Sequence, residues 1–252
     1  MIRKQELIEV AELKHLDIRN AEKDYLLELI LYATSDFKRF LVFKGGTALY
    51  KFYSLNRFSE DLDFDAVGKR ADFDRMIKKI DRTLELLGMK GTIIEKEDHG
   101  NDTNFRLAIR GPLFNGARES MSRITMNISR RERPEFIVDR ILVPSYQEIP
   151  SFEVSVLDQK EIAAEKIRCI LTREKARDVY DLWFLLKRGT MIDVPLVDRK
   201  CKVYNISFDR DALVEKIYEK RGMWTRDLKG FVIGSLPGFD DIARDIEIWL
   251  KI

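Results

Sequence analysis

The chain is poor in the residues that most metal centres and redox sites use. Its 252 residues include two cysteines, Cys169 and Cys201, and two histidines, His15 and His99. The cysteines lie 32 positions apart without CxxC spacing, which excludes a disulfide framework and a structural zinc site. So few histidines also exclude a His-rich metal site and an HExxH protease. A catalytic metal here has to be held by oxygen ligands, which selects Mg²⁺ or Mn²⁺. There is no run of ~18 or more apolar residues, and the start, MIRKQELIEVAEL, is charged where a signal peptide needs an apolar stretch. The expected setting is the cytoplasm, with no membrane partner. An excess of one charge is missing too, since 45 Lys and Arg against 43 Asp and Glu leave a net +2. The whole chain is therefore no polyelectrolyte, and any nucleic acid must be met by a local patch.

What is present suffices for a folded core. Apolar residues make up 45% of the chain and aromatics 10%, which excludes intrinsic disorder. The length suggests two modest domains. Between Glu6 and Phe37 apolar residues recur at helical spacing, predicting two helices, the second capped by Asp17 or Asn20. Phe40 to Phe43 read as a strand, Gly45 and Gly46 as a turn, and ALYKFY as the start of a helix. Alternation from Phe58 to Asp65 predicts a strand with two unlike faces, followed by a helix from Phe73 to Leu87. Further strands are expected at Thr92 to Lys96, Asn104 to Ile109, Arg123 to Ile128 and Arg140 to Val143. From Gln159 the pattern turns helical, with late helices over Asp211 to Lys220 and Phe239 to Leu250. The order is α+β rather than repeating βαβ. PSYQEIP, Pro144 to Pro150, has linker composition, so the expected domains are a mixed α/β unit over 1–150 and a mainly helical one over 151–252.

The most informative stretch is FKGGTALYKFYSLNRFSEDLDFDA. Two glycines after a strand let a backbone approach phosphate closely, and the helix N-terminus that follows offers free N–H groups. Alone this is a weak signal, since neither a GxxxxGK[ST] loop nor GxGxxG is present. Asp61 and Asp63 strengthen it. Alternate residues of a strand share a face about 7 Å apart, so both carboxylates can converge on divalent cations, with Asp65 extending the row. Acids at alternate strand positions repel one another, a cost that asks for a cation. The competing readings are a charged outer face of an edge strand and a calcium loop. The second fails because glycine falls at position 68 and Asp72 stands where an EF-hand needs Glu.

The second stretch is SVLDQKEIAAEKIRCILTREKARDVYDLWFLLKRG. Asp158 and Glu161 match a capping box, which starts a helix near Gln159. On that helix Ile162, Ala163, Ile167, Cys169, Ile170 and Leu171 form a broad apolar face, opposite Glu161, Glu165 and Arg168. Lys166 lies on the apolar side. Either it snorkels past the core edge, or its ammonium enters a polar cleft and offsets phosphate charge. On the next helix Arg177, Asp178 and Asp181 share one arc of an otherwise apolar surface, so these charges should face something other than bulk water.

KGGTALYKFYSLNRFSEDLDF and EKIRCILTREKARDVYDLWFLL together resemble the AbiEii toxin nucleotidyltransferases, members of the polymerase-beta-like nucleotidyltransferase superfamily. The resemblance covers Phe43 to Phe64 and Asp158 to Leu186. It implies a polymerase-beta-like domain with a mixed sheet and a helical C-terminal domain that completes the cleft. It assigns magnesium to Asp61 and Asp63, triphosphate handling to Lys44, Gly45, Gly46, Thr47 and Ser59, and active-site roles to Lys166 and Asp181, fifteen positions apart. Arg177 and Asp178 join the nucleotide-binding set. The implied activity is transfer of a nucleoside monophosphate from an NTP to an RNA 3′ end, notably tRNA, by the toxin of a prokaryotic toxin–antitoxin pair. The implied partners are the NTP, the RNA and an antitoxin protein. One position departs from the superfamily pattern: where a third carboxylate usually stands on a neighbouring strand, this chain has Asn127, whose amide cannot act as a general base. Asp65, Asp181 or the metal would have to compensate. Two alternatives stay open, a small-molecule or protein hydroxyl as acceptor and a nucleotide-binding module without catalysis. Arg123, Arg130, Arg131 and Arg133 are either an RNA contact or a solvated loop.

Overall fold

A computed structural model describes residues 1–68 and 72–251 of the chain. They divide into two units, one of residues 1–48 and 59–156 and one of residues 49–58 and 157–252.

The first unit opens with two helices, α1 (Lys4–Lys14) and α2 (Ile18–Ser35). Asp17 caps α2 by accepting the N–H groups of Arg19 and Asn20, both at 2.9 Å. β1 (Leu41–Lys44) runs directly into α3 (Gly45–Phe52), and β2 (Asp61–Ala66), α4 (Phe73–Leu86), β3 (Lys90–Asp98), β4 (Asp102–Arg110), β5 (Ser122–Ser129), β6 (Ile137–Leu142) and β7 (Phe152–Leu157) follow. The strands form one mixed sheet in the order β3-β4-β5-β2-β1-β7-β6. β2 lies antiparallel to β1 and parallel to β5, so the aspartate strand sits mid-sheet. Strand alternation sorts the faces. Leu62, Phe64, Phe105, Leu107, Ile109, Ile124, Met126 and Ile128 are buried on the face against which α2 packs. Each such side chain contributes roughly 1.5–3 kcal/mol of burial free energy. The opposite face carries Asp61 and Asp63 on β2, Thr125 and Asn127 on β5, and Arg106 and Asn104 on β4, all at least partly exposed. The division between units falls after Val156 because β7, a strand that the Ser and Glu in SFEVSVL disguise, still pairs with β1 through Phe43 and Val156.

The second unit is helical, built from α5 (Gln159–Thr172), α6 (Ala176–Lys187), α7 (Val194–Lys202), α8 (Arg210–Glu219), α9 (Trp224–Leu228) and α10 (Phe239–Lys251). Residues 49–58 join it by backbone hydrogen bonds, Phe58 N–H donating to Phe231 and Ile233 N–H to Asn56, each at 2.8 Å. The charged residues opposite the apolar face of α5 are enclosed too. Glu161, Glu165 and Arg168 are all buried, because α7 and α8 pack there as well as α6. Lys200 of α7 meets Glu161 at 2.7 Å and Glu165 at 3.4 Å, and the Arg168 guanidinium lies 4.2 Å from the Tyr204 ring centroid. Glu161 therefore answers a lysine on another helix. Asp158 alone makes the expected cap, accepting the Lys160 N–H at 3.0 Å. Cys169 and Cys201 are buried thiols.

Candidate active site

One group of the predicted residues stands where β1 ends and α3 begins. Gly45 has φ +76°, a conformation that costs a side-chain-bearing residue about 1–2 kcal/mol. A Cβ there would stand 2.6 Å from Oδ2 of Asp63, so the glycine also makes room for that carboxylate. Gly46 is buried. Thr47 donates its hydroxyl to the carbonyl of Asp61, tying the first turn of α3 to β2. The other oxygen of Asp63, Oδ1, accepts from the Asn127 amide at 2.8 Å, and the two residues are register partners on β2 and β5. The position expected for a third carboxylate thus holds a donor that fixes Asp63 and adds no charge. Asp61 and Asp63 are both partly exposed on the open face of the sheet.

Lys44 and Asp65 form a pair of their own. The ammonium lies 2.7 Å from Oδ1 of Asp65, whose side chain is 0% exposed, and Lys44 retains 12% exposure. Asp65 therefore does not extend the open row of carboxylates. It takes the charge that the sequence assigned to phosphate. Ser59 is buried just ahead of β2. Gly45→Ala should lower stability by about 1–2 kcal/mol through backbone strain and depress activity further by displacing Asp63. Denaturation and activity of one preparation separate the two effects, and unchanged activity would contradict the packing of Asp63 on Gly45.

Lys166, Asp178 and Asp181 belong to the helical unit and are buried there. Lys166 does not snorkel: it is 6% exposed, with its ammonium 2.9 Å from Asp178 Oδ1 and 2.7 Å from Asp181 Oδ2. Arg57 grips Asp181 with two bonds, Nε to Oδ1 at 3.0 Å and Nη2 to Oδ2 at 2.9 Å. Arg173 does the same to Asp178 at 2.7 and 2.9 Å. Three cations thus meet the two carboxylates. Arg177 lies outside this network, its guanidinium 5.4 Å from the Phe231 ring centroid. Nothing in the sequence marks Arg57 as a partner of Asp181, since a lone Arg between Asn56 and Phe58 reads as surface. Its bridge to Val232 holds it in place.

Burial alone would lower the Lys166 ammonium, but Asp178 and Asp181 outweigh it and hold its pKa above the usual lysine range. Burial likewise would raise Asp178, yet Lys166 and Arg173 hold it well below the usual carboxylate range. The Asp178 contribution to stability is therefore full above about pH 4 and is lost as pH falls through its depressed value. That of Lys166 is full below about pH 10 and is lost only as pH rises further. Urea midpoints should stay flat between these limits and fall on the acid side, and Asp178→Asn should flatten the acid limb. An unaltered acid limb in that variant would contradict the assignment.

A helix N-terminus that opens on a glycine of positive φ thus stands beside two partly exposed carboxylates of a mixed sheet. MenT4, a nucleotidyltransferase toxin from Mycobacterium tuberculosis, superposes with a TM-score of 0.67 at 22% identity, over 99% of this chain and 88% of that one. JHP933 from Helicobacter pylori gives 0.57 at 20% identity, covering 94% and 92%. A putative nucleotidyltransferase from H. pylori gives 0.56 at 20% identity, covering 94% and 95%. No curated protein matches by sequence. Residues 29–245 match the family described as nucleotidyl transferase AbiEii toxin, Type IV toxin–antitoxin system, and the chain belongs to that family. Among the described residues no helix is long and apolar enough to cross a membrane.

Proposed function

We propose that this protein transfers a nucleoside monophosphate from an NTP to the 3′ end of an RNA, tRNA foremost, as the cytoplasmic toxin of a pair whose antitoxin restrains it. The observation that carries the reading is the Asp61 and Asp63 pair on the open sheet face, at the glycine turn that opens α3. Two carboxylates with hard oxygen donors suit Mg²⁺, which commonly takes one or two protein carboxylates and completes its shell with phosphates and water. Asp61 and Asp63 would hold the Mg²⁺ (or Mn²⁺), and the ion supplies charge compensation for the triphosphate and a more acidic acceptor hydroxyl.

The remaining roles belong to the chain. The first N–H groups of α3, from Gly45, Gly46 and Thr47, lack intrahelical partners and suit phosphate oxygens. The acceptor oxygen attacks the α-phosphorus, the bond to the bridging oxygen of the β-phosphate breaks, and pyrophosphate leaves. Asn127 keeps Asp63 aimed. Asp65 and Asp181 are enclosed in ion pairs, so neither is placed to take the acceptor proton. Asp61 and Asp63 are partly exposed acids on the open face. Lys166 spends its charge on Asp178 and Asp181, and through Asp181 it secures Arg57, four residues ahead of Asp61. Arg177, partly exposed, is a cation of that helix outside the buried cluster and suits phosphate.

Asn127 also favours a second reading, a nucleotide-binding module without catalysis. The test is incubation with each α-labelled NTP, Mg²⁺ and total tRNA. Label in tRNA is expected. Nucleotide binding without transfer to tRNA would remove the RNA claim, and binding without turnover on small-molecule and protein acceptors too would favour the inert module.

A further inference from the structure

A cavity of about 370 Å³ lies in the first unit, floored by Ile94 and Ala108 and ringed by Arg110, Arg118, Arg123 and Phe114. It shares the open face with the aspartates. Asp61 pairs in register with Thr125, and Arg123 is the next residue of β5 on the same side, about 7 Å further along. Arg123 in turn stands opposite Ala108 of β4. The three arginines are exposed, and among the described residues none of them forms an ion pair. Arg130 and Arg131, the other basic candidates on β5 and just beyond it, are engaged: Arg130 with Thr103 and the Phe73 ring, Arg131 with Asp102.

The cavity has a built wall. Its loop, residues 111–121, is pinned by the buried carboxylate of Glu22 on α2, which accepts the Leu113 N–H at 2.6 Å and the Ser122 hydroxyl. Gly111 packs on the same carboxylate, where a Cβ would come within 2.7 Å of Oε1. This anchoring presents Phe114, half buried, with the Arg110 guanidinium 5.2 Å from its ring centroid. Unneutralised guanidiniums around an aromatic platform over an apolar floor match a single strand of nucleic acid, whose phosphates take the charges and whose base takes the ring.

Geometry also fixes which strand this is. β2 has β1 and α3 on one side and β5, β4 and β3 on the other. An in-line displacement puts the leaving pyrophosphate and the incoming hydroxyl on opposite sides of the reacting phosphorus. With the triphosphate at the start of α3, the acceptor enters over β5, along the line of Arg123. The geometry points to Arg110, Arg118, Arg123 and Phe114 as the subsite that holds the unpaired 3′-terminal nucleotides of the acceptor RNA. This rests on the transfer reading above, and its test separates the two.

The measurement is fluorescence anisotropy of a labelled single-stranded RNA decamer, without nucleotide or Mg²⁺, alongside transfer kinetics. Arg118→Ala/Arg123→Ala should weaken binding about tenfold or more and flatten its salt dependence, while Phe114→Ala weakens it about fivefold with little change in salt slope. Arg118 and Arg123 are exposed and Phe114 is partly exposed, so the fold should persist. In transfer assays the double variant should raise acceptor KM and leave the KM for NTP unchanged. RNA binding that depends on these residues without any transfer would sink the transfer reading and keep the subsite. Transfer with an unchanged acceptor KM in the double variant, or a matched duplex binding as well as the single strand, would overturn the subsite.

Discussion

Asp63→Asn should reduce nucleotidyl transfer by about three orders of magnitude or more, equivalent to ~4 kcal/mol of lost transition-state stabilisation, while the protein remains folded. The side chain keeps its shape, and its carbonyl oxygen can still accept from Asn127, so the packing against Gly45 and the β2–β5 register survive. What disappears is one negative charge at the place where a cation and a triphosphate must meet. Asp61→Asn should act alike, since its backbone carbonyl, which receives the Thr47 hydroxyl, is untouched. Urea midpoints close to those of the parent, together with lost transfer, are the expected pair of results. Retained transfer in either variant would mean the metal assignment is wrong. Asn127→Asp is the complementary change: it restores a third carboxylate but removes the donor that holds Asp63 and places two acids side by side, so transfer should fall.

Lys166→Met should instead appear first in stability. The substitution keeps most of the volume and deletes the ammonium that Asp178 and Asp181 share, both of them buried. Breaking a buried pair by removing one partner typically costs about 3–5 kcal/mol, because the remaining charge loses its compensation. Arg57 and Arg173 still hold one carboxylate each, which places the expectation near the lower figure. Lys166→Met and Asp178→Asn should combine non-additively, since both remove the same 2.9 Å contact. Urea denaturation of the single and double variants measures this coupling. A cost under about 1 kcal/mol for Lys166→Met would show that the cluster does not act as a structural clamp. Loss of activity at Lys166 should therefore be judged only on protein whose fold has been checked.

The features legible in the sequence are those that depend on near neighbours. The glycine turn, the alternating aspartates of β2, the cap of α2 by Asp17 and the start of α5 at Gln159 all follow from residues within one or two turns of each other. Asn127 was legible in part, because its strand could be read, but its bond to Asp63 depends on the β2–β5 register. Long-range charge pairing was not legible. Lys44 pairs diagonally with Asp65 because β1 and β2 are antiparallel with Lys44 opposite Asp63. Arg57 reaches Asp181 only because residues 56–58 bond to residues 231–233. Glu161 and Glu165 read only as a charged cluster opposite the apolar face because the lysine they meet lies on α7, 35 or more positions away. β7 escaped because Ser and Glu interrupt its apolar residues, although Val154 and Val156 are buried in the sheet.

The central claim is that the α-phosphorus of an NTP is attacked at the Asp61 and Asp63 site and pyrophosphate is released. It is tested most directly by parallel reactions with α-labelled and γ-labelled NTP, Mg²⁺ and total tRNA. The account predicts α-label joined covalently to the RNA and γ-label recovered only as pyrophosphate, with neither result seen in Asp63→Asn. Transfer of the γ-label to any acceptor, or α-label in RNA at an undiminished rate in Asp63→Asn, would contradict it.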